Sequence, residues 1–462
     1  MSAQQTLTEY VARIEDLARE LGLSYYPVDF EVVPPSFMME IAVYGLPVRM
    51  PHWSFGVRWI YQMVQHRMGH SHIFEVVFPG NPNRAYLVNS NTLDENILVT
   101  AHVLGHADFS YNNLLVAGSQ RQIGYHIVEQ AAAHARRIEQ ALEEWGQERV
   151  EAVLDAALAL EQHIDTRQPV ERAPYDLHPQ RKPTSAPGDA FTPRFSSLPG
   201  EEPKPQTPRT AHRAPRVPPR PEADLLWFIA RYAPEMEDWE RDVFLAVRQE
   251  SYYFQPIFNC QIMNEGWASY WHARILREAD FLPDEIYLNA MKTHSDVVRP
   301  YAGERQIALN INPYHLGFTL WEQIVKEEGI DAARRVMREE DDFGFLRNQL
   351  TAERARELDL FVYTAESDGE IRVTSTNIDD LREAVLRAKY NFGAPQIVVD
   401  EMRHDGTLVL RHDFEADGRG LDEPRARRVL DYIHRVWRRP VVLYTANEKG
   451  ESECLRPLEN AS

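Results

Sequence analysis

The chain has 462 residues, of which 44% are apolar and 26% charged, with 30 prolines and only two cysteines, Cys260 and Cys454. That length buries a large core and divides into two or three domains, and two distant cysteines exclude a disulfide framework. A formal charge of -20 excludes general nucleic-acid affinity, which needs clustered Lys and Arg to displace counterions from phosphate, and no apolar run reaches the roughly 18 residues that membrane insertion as a helix requires.

From the N-terminus, residues 6–23 read as a charged amphipathic helix with Tyr10, Ile14, Leu17 and Leu21 on one stripe. They lack the basic, apolar, small-residue order of a signal peptide, so a cytoplasmic chain is the expectation. Residues 73–78 (Ile-Phe-Glu-Val-Val-Phe) and 85–88 read as short strands joined by the Pro-Gly-Asn-Pro turn at 79–82. A helix over 94–115 follows, then long helical periodicity over 127–159 that breaks near Gly146. Residues 1–167 thus form the first part of a helical core.

Residues 168–221 change character, holding roughly half of the prolines among Arg, Lys, Ser and Thr. Such a segment buries too little apolar surface to offset its conformational entropy, and is predicted to be a flexible insertion. Its strings at 203–208 and 215–220 offer polyproline docking to a protein partner. Residues 222–350 resume the helical core, with helices predicted over 224–232, 236–252, 261–278 and 283–295, punctuated by Pro256 and Pro283. Residues 351–462 read as β-β-α-β-β-α-β, a small α+β domain with no catalytic constellation and therefore a second candidate surface for a partner. The expected fold class is α+β: a mainly helical, zinc-peptidase-like core and a smaller C-terminal α+β domain.

Two strings carry chemistry. His102-Val103-Leu104-Gly105-His106 places two imidazoles four residues apart on one helix face, which suits two positions of a tetrahedral metal site, or a pair of hydrogen-bonded core histidines. It resembles the His-Glu-x-x-His helix of zinc peptidases, except that Val103 stands where the general base belongs. Gly105 permits close approach by another helix. In the second string, residues 264–272 (Asn-Glu-Gly-Trp-Ala-Ser-Tyr-Trp-His), Glu265, Ser269 and His272 share a helix side. Glu265 is then the third ligand, or a core carboxylate paired with Arg248 or Arg274; His272 is a fourth ligand or an acid/base.

Amide hydrolysis needs a positioned base besides a metal, and the candidates are Asp108, Glu250 and His272, with Glu129, His134 and Glu144 as supporting groups. Zinc is the first metal expected and iron the second, because two histidines and one carboxylate also suit a non-haem iron centre. Other polar landmarks are Tyr111-Asn112-Asn113, residues 53–56, residues 161–165, His294 and residues 312–317.

The strings at 50–56 (Met-Pro-His-Trp-Ser-Phe-Gly), 81–87, 102–109, 247–254, 263–272 and 312–317 together resemble the stage V sporulation protein R (SpoVR) family, from about residue 5 to 450. The resemblance implies a bacterial cytoplasmic protein linked in spore formers to the spore cortex, a peptidoglycan layer, and present also in bacteria that never sporulate. The family pattern itself lacks a Glu after the first motif histidine, and the long Pro-rich insertion departs from its more compact middle. Three functions are open at this point: a metal-dependent amide or peptide hydrolase, a scaffold or regulator that keeps a peptidase core without its base, and a non-haem iron oxidoreductase.

Overall fold

The structure is a computed structural model that describes residues 3–44, 75–175, 216–299, 312–360, 362–365, 371–387, 389–446 and 450–458. The string at 50–56 and most of the Pro-rich insertion lie outside them. Helices dominate: α1 (Ala3–Glu20), α2 (Pro35–Tyr44), α3 (Leu93–Asn112), α4 (Leu114–Ile123), α5 (Ile127–Trp145), α6 (Gln147–Ala159), α7 (Leu225–Tyr232), α8 (Asp238–Asn259), α9 (Gln261–Glu278), α10 (Asp284–Val298), α11 (Pro313–Glu328), α12 (Ile330–Glu339), α13 (Asp342–Gln349), α14 (Ala352–Glu357), α15 (Ile378–Arg387), α16 (Phe414–Asp417) and α17 (Glu423–Trp437). The strands are β1 (Val28–Val33), β2 (Glu75–Phe78), β3 (Asn83–Val88), β4 (Val362–Ala365), β5 (Ile371–Ser375), β6 (Ile397–Met402), β7 (Leu408–His412), β8 (Val441–Ala446) and β9 (Ser452–Leu455). The fold is mixed α+β and mainly helical, as expected.

Local chemistry explains the key boundaries. Thr92 and Glu95 form a reciprocal capping box that starts α3. Gly146, at φ 83°, separates α5 from α6 where the periodicity breaks. Pro283 caps α10, but Pro256 lies inside α8, which continues to Asn259. A small sheet of order β1-β3-β2 lies beside α3; β1 runs parallel to β3 and β2 antiparallel to it, with Glu75 opposite Leu87. The C-terminal sheet has the order β6-β7-β8-β9, whereas β4 and β5 pair separately.

Two apolar cores result. One gathers α1, α3, α9, α11 and α13, and takes in Leu381 and Leu386 of α15. The other joins α5 to α8 with the C-terminal sheet and α17. Isolated bridges from Val217 to Met402 and from Glu222 to Val399 extend that sheet with the chain that re-enters the core.

Candidate metal centre

The centre exists because three helices approach more closely than side chains allow. A Cβ on Gly105 of α3 would lie 2.6 Å from the Ala268 Cα of α9, and one on Gly266 would lie 2.3 Å from the Gly317 carbonyl carbon of α11. These glycines let the backbones touch, which sets Glu265 against the histidine face of α3. The N-terminus of α9 is fixed in turn by the buried Asp342 carboxylate, which accepts from the Ile262 and Met263 amides and pairs with Lys389 Nζ at 2.8 Å.

His102 Nε2 and His106 Nε2 each lie 3.5 Å from Glu265 Oε2. Glu75 enters from the first residue of β2, its Oε1 3.8 Å from His102 Nε2. Glu75, His102 and His106 each offer a ligand atom, all within 4.8 Å of one another. His102 Nε2 and Glu265 Oε2 are buried and make no hydrogen bond. Orphaned buried polar atoms of this kind are costly.

The contact behind His106 fixes its tautomer, and a row of histidines stands behind His102. Asn264 Oδ1 lies 2.9 Å from His106 Nδ1; an amide oxygen only accepts, so Nδ1 carries the proton and Nε2 presents a lone pair. His102 Nδ1 lies 2.9 Å from His272 Nδ1, and His272 Nε2 lies 2.6 Å from His294 Nδ1. If Nε2 of His102 is to present a lone pair, each ring in this row donates to the next and all three are neutral. Burial accordingly pushes His272 well below the ordinary histidine value and His294 down to about 4, with nearby positive groups adding to both shifts. In that tautomer lone pairs of two imidazoles and a carboxylate face one another, an arrangement a cation would satisfy.

Burial also lowers His106, and together with Glu265 it pushes Glu75 up to about 7 against the opposing effect of His106. For Glu265 burial acts upward, but His106, His102 and the Tyr314 hydroxyl outweigh it and hold the carboxylate below its usual range. Tyr314 arrives through local capping: Asn312 accepts from the Tyr314 amide at 3.0 Å, and Pro313 opens α11.

The structure brings His102, His106 and Glu265 together and gives the remaining predicted residues other positions. His272 stands behind His102 with both ring nitrogens engaged, which leaves no lone pair for a cation at the centre. Asp108 accepts from the Ser24 amide and from Trp267 Nε1, each at 2.8 Å, so it fastens α1's exit loop and α9 to α3; burial pushes it up to about 6. Glu250 faces His134 Nδ1 at 3.1 Å in the other core. Arg248 bonds Asp224 at 2.8 Å and Arg274 bonds the Tyr270 hydroxyl, so neither pairs with Glu265. Sequence reasoning missed Glu75; its signal was a lone carboxylate inside an otherwise apolar strand.

A mainly helical α+β chain with a buried His/Glu cluster at a glycine-mediated helix crossing is the class this geometry defines. Family models for the "SpoVR like protein" and the "SpoVR-like C-terminal domain" match residues 2–393 and 395–448, and the chain belongs to the SpoVR family. It is also 28% identical, over 97% of its length and 93% of the relative's, to a protein of Escherichia coli (strain K12) described as "Uncharacterized protein YcgB". No solved structure matches. Among the described residues no helix is long and apolar enough to cross a membrane.

Proposed function

We propose that the chain binds one divalent metal through His102, His106 and Glu265 and hydrolyses an amide or peptide bond, with Glu75 as the carboxylate that handles the proton. The observation that carries this reading is the convergence of His102 Nε2 and Glu265 Oε2, buried and without hydrogen bonds, on one space. Glu75 supplies from β2 what Val103, buried in apolar core, cannot. When bound, the metal contributes Lewis acidity. His272 and Asn264 hold the ligand imidazoles in the tautomer that ligation needs, and Tyr314 steadies Glu265. On this reading the core resembles the zinc-peptidase arrangement, with two histidines on α3 and a distant glutamate on α9. The substrate is then peptidoglycan of the spore cortex or the wider cell envelope, in keeping with what the family resemblance implies, and a cytoplasmic chain would act on its precursors.

Iron is the second metal this donor set admits, since two imidazoles and one carboxylate also form a non-haem iron site. The test is metal content of the full chain followed by hydrolysis of peptidoglycan stem peptides by the loaded protein. Zinc with cleavage that Glu75→Gln abolishes is the expected result. Zinc without cleavage of any stem peptide would overturn the hydrolase, and bound iron would replace it with oxidative chemistry. Folded protein that takes up neither metal would leave the chain a scaffold or regulator working through a protein partner.

A further inference from the structure

The two matched regions meet at residues 393 and 395, and a cavity of about 620 Å³ lies on that seam. Its walls come from both sides. Leu160 and Leu225 belong to the helical core; Ile397, Leu410 and Leu443 belong to the C-terminal sheet. That volume and apolar character suit a small molecule.

Three polar groups give the cavity a chemical direction. His163 lines it and is 92% buried by its relative exposure of 8%. Its ring finds no hydrogen-bond partner among the described residues. Burial holds it neutral, its pKa pushed down to about 4. Arg425 and Arg428 line the same cavity from α17 and are exposed, with no ion pair among the described residues. Of the carboxylates just before them, Asp422 accepts from the Arg425 amide as the cap of α17 and Glu423 pairs with Arg427 at 2.7 Å. Other cations of this seam are neutralised: Arg438 meets Glu240, Arg439 meets Glu235 and Arg216 meets Asp400.

The chain that forms one edge of the cavity is strained. Asn391 and Phe392 both hold positive φ, 46° and 56°, where side chains crowd the backbone. Phe392 is stacked on Phe258, 4.6 Å between ring centres, at the C-terminal end of α8. The helix that follows, α9, carries Glu265.

We propose that this seam is a binding site for a small amphipathic anion, with an apolar body between the sheet and α6, its carboxylate or phosphate on Arg425 and Arg428, and a hydrogen bond to His163. Such a ligand joins the C-terminal domain to the helical core and acts as an effector distinct from the metal centre.

The test uses the metal-free full chain and 8-anilinonaphthalene-1-sulfonate, an aromatic body with one anionic group, followed by fluorescence. Saturable one-to-one binding is expected. Decanoate and phenyl phosphate are then added as competitors, and whichever displaces the dye at lower concentration identifies the carboxylate or the phosphate as the preferred head. Arg425→Ala with Arg428→Ala should weaken the dye by about tenfold, as loss of charge-assisted contacts does, and leave uncharged N-phenyl-1-naphthylamine unaffected. A Cβ at Gly420, which also lines the cavity, meets nothing within 4 Å, so Gly420→Trp should fold normally, fill the space and abolish binding of both probes. Absence of saturable binding to folded wild type would overturn the proposal, as would equal binding by the Gly420→Trp protein. Because no metal is present, failure here is separable from failure of the hydrolase reading.

Discussion

The two cores of this protein bury the same kinds of residue and use them in opposite ways. In the core of α5 to α8, the carboxylates named above are paired with cations or an imidazole: Arg248 meets Asp224, Arg172 meets Glu222 and His134 meets Glu250. In the core of α3, α9 and α11, His102 Nδ1 meets another histidine, and when it donates to that ring its Nε2 confronts Glu265 lone pair to lone pair. A histidine beside a glutamate is therefore a structural pair or a ligand pair according to what stands behind the ring. The second contact of the imidazole carries the functional information.

The comparison can be broken in several ways, and the helix crossing is the most vulnerable. Gly266→Val would drive a side chain into the Gly317 backbone and should cost about 3 kcal/mol or more, read from the urea midpoint; an unchanged midpoint would mean that close packing does not position Glu265. Removing one ligand comes next. His106→Ala should weaken metal by about 100-fold or more, equivalent to about 2.7 kcal/mol, in a direct zinc titration of folded protein.

Glu250→Gln should lower stability by about 2 kcal/mol, because it breaks a buried pair, and leave metal affinity unchanged. His272→Ala should retain the three ligands but free the ring of His102, at a cost of about tenfold in metal affinity. Acidification acts through single groups in the metal-free chain. Burial holds His163 down to about 4, so its contribution to stability is complete above about pH 6.5 and declines as pH falls toward 4, by roughly 2 kcal/mol at pH 5. Glu75 and Asp108, pushed up to about 7 and 6, act in the opposite direction. The loss in denaturant midpoint between pH 7 and 5 should therefore be smaller in His163→Gln than in wild type.

Much of this was legible in the residues. Spacing alone put His102 and His106 on one face, and Gly105 announced the close approach that Ala268 makes. The string at 264–272 identified Glu265, and its His272 lies on the side of α9 that meets α3, though it reaches the site through another imidazole. The rest depended on contacts between segments far apart in sequence. Glu75 is a single residue of a four-residue strand, and short strands carry too few residues for a period to single one out. Asp108, a candidate base in the sequence, follows His106 by two residues, and that offset turns it away toward Ser24 and Trp267. β1 escaped notice although Val28-Asp29-Phe30-Glu31-Val32 alternates, because it is a six-residue run closed in by Pro27 and Pro34, and β9 because Ser-Glu-Cys-Leu does not alternate. Tyr314, within the landmark at 312–317, stands among the first residues of α11 because Asn312 caps that helix.

The central claim is that the lone pairs gathered around His102 exist to hold a cation. The most direct test measures metal by inductively coupled plasma mass spectrometry on untagged, mildly dialysed protein, comparing wild type with Glu265→Gln, and follows the urea midpoints of both after chelation. The account predicts near-stoichiometric metal in wild type and almost none in the variant. After chelation the variant should be the more stable by about 1 kcal/mol, because the glutamine amide donates where the carboxylate could not. Metal-free wild type that refuses zinc and iron while fully folded, or a variant that loses stability as Glu250→Gln does, would contradict it.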